Sequence, residues 1–228
     1  MDFKPFEHKI GYTFRDKALL ETAFTHRSYL NENRRAGAAH NERLEFLGDA
    51  VLELVVTEFL FAKYPDKPEG ELTAYRAALV NTVSISDAAT KLGMNEFLLL
   101  SRGEARDTGR ARAIILANAF EAVIGALYLD QGYATAKDFI AKQLFHKTED
   151  VVEKRLWQDP KSRLQEIAQE KLGVTPMYEL ASQSGPDHDK RFVTAVILQG
   201  QRAALGEGRS KQESEQDAAQ KALTARGW

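Results

Sequence analysis

The run "HNERLEFLGDAVLELVVTEFLF", His40 to Phe61, restricts the fold more than any other part of the chain. Leu44, Leu47, Val51, Leu54, Val55 and Phe59 recur at helical spacing, which predicts a helix with a buried face. Glu42, Glu45, Asp49 and Glu53 interrupt that pattern at i, i+3, i+7 and i+11. At about 100° per residue the four acids fall within an arc of roughly 80°. Stacked like charges weaken a helix by about 0.2–0.5 kcal/mol per pair. A solvated face more often interleaves Lys or Arg, and Arg43 points elsewhere. Two readings stand: an ordinary solvated stripe, or a stripe that holds something positive.

A second helix bears on the choice. "RARAIILANAFEAVIGALYLDQG" is strongly apolar and stops at Gly132. Glu121 is the lone acid inside its apolar stretch, and Asn118 lies one turn earlier on the same face. A buried carboxylate is costly unless it is paired or bound to metal. If the two helices face each other, Glu45, Asp49, Asn118 and Glu121 gather around one point. All four offer oxygen, the donor preferred by Mg²⁺ or Mn²⁺ over zinc. The alternative is that Glu121 pairs with a core cation such as His26 or Arg27. Gly48 inside the first helix costs about 1 kcal/mol against Ala. It serves close helix packing or leaves room beside Asp49.

The 228 residues suit one medium domain plus a small one. There is no cysteine, so disulfides, thiolate metal sites and cysteine nucleophiles are excluded, and a cytoplasmic setting is expected. The N-terminus lacks a signal-peptide pattern, and the absence of an uninterrupted apolar run of about 20 residues predicts no membrane span. Net charge is −2, so a nucleic-acid site has to be a local patch.

The first two thirds read as helices, including one over "DKALLETAFTHRSYL" and one over "ELTAYRAALVNTVSISDAATKLG" with an interruption near Val83–Ser86. "KYPDKPEGE" is a loop. The expected domains are 1–147, all-helical, and 159–228, joined by a charged linker over 148–158. The second reads helix, three strands, helix: "DPKSRLQEIAQEKLG", then "MYELASQ", "KRFVTAVILQ" and "QRAALGEG", then "SKQESEQDAAQKALTA". The fold class is mainly α, with a small α+β (α-β-β-β-α) domain.

"HNERLEFLGDAVL", "AFTHRSY", "PEGELTAYRAALV" and "LANAFEAVIGALYLDQGY" together resemble the ribonuclease III family. "KSRLQE", "GPDH" and "GRSKQESEQDAAQKAL" are similar to a double-stranded-RNA-binding domain. The resemblance covers nearly the whole chain. It implies a Mg²⁺-dependent endonuclease, with Mn²⁺ as substitute, that cuts double-stranded RNA in RNA processing. The implied products carry 5′-phosphate and 3′-hydroxyl ends with a short 3′ overhang. It implies a homodimer, no membrane partner and no small-molecule cofactor. Carried over by position, Glu45, Asp49 and Glu121 match the catalytic and metal-binding carboxylates. Glu42 and Glu69 match peripheral acids, and Phe46 matches an aromatic at the dimer contact; plain core packing is the other reading of Phe46. Asn118 departs from the pattern, because the family usually has Asp there. The amide keeps one carbonyl oxygen and loses the charge. Either the enzyme tolerates it, or the change traps substrate, or the chain binds duplex RNA without cutting it. A helical phosphohydrolase acting on nucleotides is a third class, which the RNA-binding unit argues against.

Duplex RNA shows 2′-hydroxyls in a wide, shallow minor groove and is read by shape. Ser162, Gln165 and Glu166 on the first helix of the small domain, and Pro186 and His188 in its turn, are the candidates to meet it. Ser210 and Glu213 form an S-x-x-E capping box. The N–H groups it orders make an anion site, and Arg209 and Lys211 beside it suit a phosphate. Residues 159–228 hold ten basic and ten acidic residues, and Gln212 stands where the family often has a second Lys. Weak, strongly salt-dependent binding by this domain alone is therefore expected.

Overall fold

The computed structural model describes residues 1–33, 39–186 and 190–228. It forms two compact units, Met1–Trp157 and Gln158–Trp228. Among the described residues the first unit is helical: α1 Lys4–Ile10, α2 Lys17–Phe24, α3 Arg27–Glu32, α4 Glu42–Lys63, α5 Glu69–Val80, α6 Thr82–Lys91, α7 Arg102–Arg106, α8 Arg110–Gln131, α9 Tyr133–Leu144 and α10 Thr148–Glu153. α8 is the centre of the core. It buries Leu116, Phe120, Val123, Ile124 and Leu127, and α2, α4, α6 and α9 pack around it. By length and composition α8 could also cross a membrane, which the sequence reading overlooked. Here its apolar surface is spent on neighbouring helices.

One helix expected to be continuous is broken, and a second breaks close to its expected interruption. The α2–α3 break falls at Thr25 and His26, whose extended backbone bridges to Leu99: the Leu99 N–H donates to Phe24 O and the His26 N–H to Leu99 O. The α5–α6 break falls at Asn81, ahead of the expected Val83–Ser86. Asn81 is extended, and its side chain accepts from the Ser84 N–H at 2.9 Å, capping α6. Residues 148–157, read above as linker, carry α10 and pack on this unit. Thr148 and Val151 are buried, and the Trp157 ring meets Tyr75 edge-on at 5.2 Å.

The second unit runs α11 Pro160–Leu172, β1 Met177–Ser184, β2 Arg191–Leu198, β3 Gln201–Gly208 and α12 Lys211–Arg226. The sheet is antiparallel in the order β1-β2-β3. Val196 and Leu198 of β2 meet Leu164 and Ala168 of α11 and Ala218, Ala222 and Leu223 of α12 in one small core. Gly206 lets α12 touch β3, since a Cβ there would stand 2.0 Å from the Ala218 nitrogen.

Candidate active site and nucleic-acid surface

α4 and α8 cross in backbone contact. A Cβ on Gly48 would lie 1.7 Å from the Glu121 carbonyl oxygen, and one on Gly125 2.2 Å from the Leu44 oxygen. Paired glycines therefore set the crossing, and they bring Glu45 and Asp49 of α4 into the field of Glu121 on α8. Of the two roles open to Gly48, close packing is the one the structure shows. Gly125 was missed in the sequence, because a glycine in an apolar helix carries no local sign of its partner.

The electrostatics at the crossing are one-sided. Burial pushes the Glu121 carboxyl up to about 8, helped by the charges of Asp49, Glu45 and Glu53. Burial also raises Glu45, with Glu42 and Asp49 adding to the effect. Among the described residues, only acids act on either group. The alternative pairing of Glu121 with His26 or Arg27 is corrected: Arg27 turns to Glu42 at 3.5 Å, and His26 Nδ1 bonds the Ser28 hydroxyl at 2.8 Å. Asn118 is half-buried on α8 and Asp49 is exposed.

Among the described residues, no three His, Cys, Asp or Glu side chains stand close enough to enclose one ion. The donor set nonetheless fits a hard divalent cation: carboxylates and one amide, with a half-buried carboxylate that has no basic partner among the described residues. The outer acids differ. Glu42 faces Arg27 and, at 3.8 Å, His40. Glu53, at the far end of the stripe, pairs with Arg76 Nε of α5 at 2.8 Å. Sequence gave no signal for that pairing, which joins residues on different helices.

Glu69 is not brought to this cluster. It opens α5, accepts from the Thr73 hydroxyl at 3.0 Å, and lines a groove of about 400 Å³ with Leu60, Phe61 and Leu72. Phe46 is 80% exposed, so it does not pack in its own core.

In the second unit Ser162, Gln165 and Glu166 are exposed on α11. The Ser162 N–H and hydroxyl both donate to Asp159 Oδ1, at 3.0 and 3.3 Å, so Asp159 caps this helix. Pro186 is exposed, and His188 lies outside the described residues. Ser210 caps α12 by accepting from the Glu213 N–H at 3.1 Å. The Glu213 carboxylate reaches back to the Arg209 N–H at 2.9 Å, one residue before the usual capping-box donor. Several basic residues are spent internally. Lys161 pairs with Glu215 at 2.6 Å, Lys221 with Asp217 at 2.7 Å, and Lys171 lies over the Trp228 ring. Arg209 and Lys211 stay exposed beside the α12 N-terminus, with no described acid paired to their side chains. Local charge there is thus positive although the unit as a whole is neutral.

Comparison with known proteins fits this division. Residues 16–148 match the family described as Ribonuclease-III-like, and residues 160–225 the double-stranded RNA binding motif. Ribonuclease 3 of Oceanobacillus iheyensis is 46% identical over 223 residues, covering 98% of this chain and 97% of that protein. Ribonuclease 3 of Geobacillus kaustophilus is 48% identical over 221 residues, covering 97% and 89%. Among solved structures, the nuclease domain of ribonuclease III from Campylobacter jejuni is 42% identical with a TM-score of 0.56, covering 62% of this chain and 98% of that one. Its description concerns structural flexibility in a region involved in dimer formation. Across nearly its full length, this chain belongs to the ribonuclease III family.

Proposed function

We propose that the chain is an endoribonuclease that hydrolyses phosphodiester bonds of double-stranded RNA. The observation that carries this reading is the uncompensated acidic cluster at the α4–α8 crossing, in a chain that also holds an RNA-binding unit. Glu45, Asp49, Asn118 and Glu121 would hold Mg²⁺, or Mn²⁺ in its place, through oxygen alone. When bound, such an ion lowers the pKa of a water and stabilises charge on a leaving oxygen.

The chain's own residues prepare that chemistry. The glycine pair holds the carboxylates across the crossing. Burial makes the charge of Glu121 dependent on a cation beside it. Exposed Asp49 opens the cluster to a phosphate arriving from solvent. Attack by water at phosphorus, with the 3′ oxygen leaving, yields the 5′-phosphate and 3′-hydroxyl ends. The second unit would hold the duplex by shape, with α11 at the minor groove and Ser210, Arg209 and Lys211 on phosphate. A chain that binds without cutting is the less favoured reading, since the relatives carry an enzyme's name.

The test is a gel assay on a long RNA duplex with Mg²⁺ or chelator, beside mononucleotides and the Asn118→Asp variant. Metal-dependent cleavage of the duplex alone is expected, with Asn118→Asp reaching full rate at lower Mg²⁺. If both proteins bind the duplex and neither cuts it, the enzyme reading is lost.

A homodimer belongs to this reading. Phe46 and Phe61 of α4 are 80% and 74% exposed, and the groove beside Phe61 suits an aromatic anchor from a second copy. Phe46→Glu is expected to weaken association by about 2 kcal/mol or more, roughly thirtyfold. Sedimentation against concentration measures it, and an unchanged dimer removes Phe46 from the interface.

A further inference from the structure

The acidic stripe of α4 is neutralised at its ends and bare in its middle. Arg27 Nη1 faces Glu42 Oε1 at 3.5 Å, and Arg76 Nε meets Glu53 Oε2 at 2.8 Å. Between them Glu45, Asp49 and Glu121 have no basic partner among the described residues. At about 1.5 Å per residue, positions 42 and 53 stand roughly 16 Å apart along the helix. Neither arginine is used up by its acid. A guanidinium carries five N–H donors. Arg27 directs one arm at Glu42, and Arg76 adds a single bond to Thr57 at 2.9 Å. The Arg27 side chain is 70% exposed and that of Arg76 34%.

Ion pairs this exposed contribute only about 0–1 kcal/mol to stability, so tying helices together is a poor account of them. A phosphate backbone has a stronger need. To reach the acidic cluster it must cross the repulsion of the carboxylates that are charged there, and fixed cations beside the cluster offset that. Arginine suits the task, because its planar fork can hold a carboxylate on one side and a phosphate on the other.

We infer that Arg27 and Arg76 are phosphate-binding residues of the nuclease unit, aimed by Glu42 and Glu53 at backbone phosphates on either side of the one that is cut. This rests on the duplex-RNA reading above. Glu42 and Glu53 then act as positioning residues.

The test uses the full chain and a duplex RNA in chelator, with affinity measured across a salt series. Arg27→Ala is expected to lower affinity five- to tenfold and to reduce the slope of log affinity against log salt by about 1. Arg27→Lys keeps the slope. Glu42→Gln, which removes the tie and leaves the cation, also keeps it, whereas a purely structural tie would make Arg27→Ala and Glu42→Gln behave alike. Arg76→Ala and Arg76→Lys repeat the comparison at the other end; if Arg76→Ala does not fold, the lysine variant and the Arg27 series decide. A parent that binds while Arg27→Ala keeps the parental slope overturns this inference alone. A parent that does not bind duplex RNA overturns the RNA reading as well.

Discussion

Replacing Glu121 by Gln is expected to lower cleavage by more than about a hundredfold, since loss of groups that merely support metal ligands already costs 10–100-fold. The same change should stabilise the metal-free protein at high pH. In the folded chain the Glu121 carboxyl is pushed up to about 8 from an ordinary 4.5. Below 4.5 it is protonated whether folded or unfolded, and stability is unaffected by its charge. Between 4.5 and 8 the folded state keeps a proton that the unfolded chain has released, so stability falls as pH rises. Above 8 both forms are charged and the penalty is complete. Its size is on the order of 1–2 kcal/mol, reduced by solvent screening and by joint titration with Glu45. Gln carries no such penalty. Thermal melts in chelator should therefore diverge from pH 4.5 to 8 and then run parallel, with the variant higher. Added Mg²⁺ should raise the parent and leave the variant nearly unmoved, because only the folded parent binds it well. Equal melting at pH 9, or cleavage at the parental rate, would defeat this account.

Gly48→Ala should be the most damaging small substitution in the nuclease unit. The added Cβ would lie 1.7 Å from the Glu121 oxygen, 2.6 Å from its carbonyl carbon and 2.9 Å from the Gly125 nitrogen. All three are backbone atoms, so no rotamer change relieves the clash, and α4 and α8 have to separate. Overpacking ordinarily costs 1–3 kcal/mol, and a main-chain clash this close is expected to cost about 3 or more. The better helix propensity of Ala returns only about 1 kcal/mol. Helix separation also moves Glu121 away from Glu45 and Asp49, and a shift near 1 Å is worth about a hundredfold in rate. Urea unfolding and the duplex cleavage assay together check this. An unchanged midpoint would mean that the two helices do not cross as closely as described.

Legibility from sequence followed the range of the interaction. α4, α8 and α12 are plain in the chain because apolar spacing and caps act over three or four residues. The Ser210 cap is of that kind. The α2–α3 break was not legible, because it depends on Leu99, distant along the chain, bridging to Thr25. Phe46 read equally as core or contact, since a helical pattern does not say which face finds a neighbour.

The sequence by itself determined the helices, the common face of Glu42, Glu45, Asp49 and Glu53, the oxygen-only donor set and the order of the two units. Tertiary structure decided which acids stay unpaired. Arg76 reaches Glu53 because α5 packs on α4, and Arg27 reaches Glu42 because the Asn41 N–H, just before α4, bonds to the Thr25 oxygen just before α3. Glu121 is half-buried in the field of Asp49 only because two glycines, one on each helix, let their backbones touch. Such contacts join residues far apart in the chain, and the cost of a charge is set by what surrounds it in space.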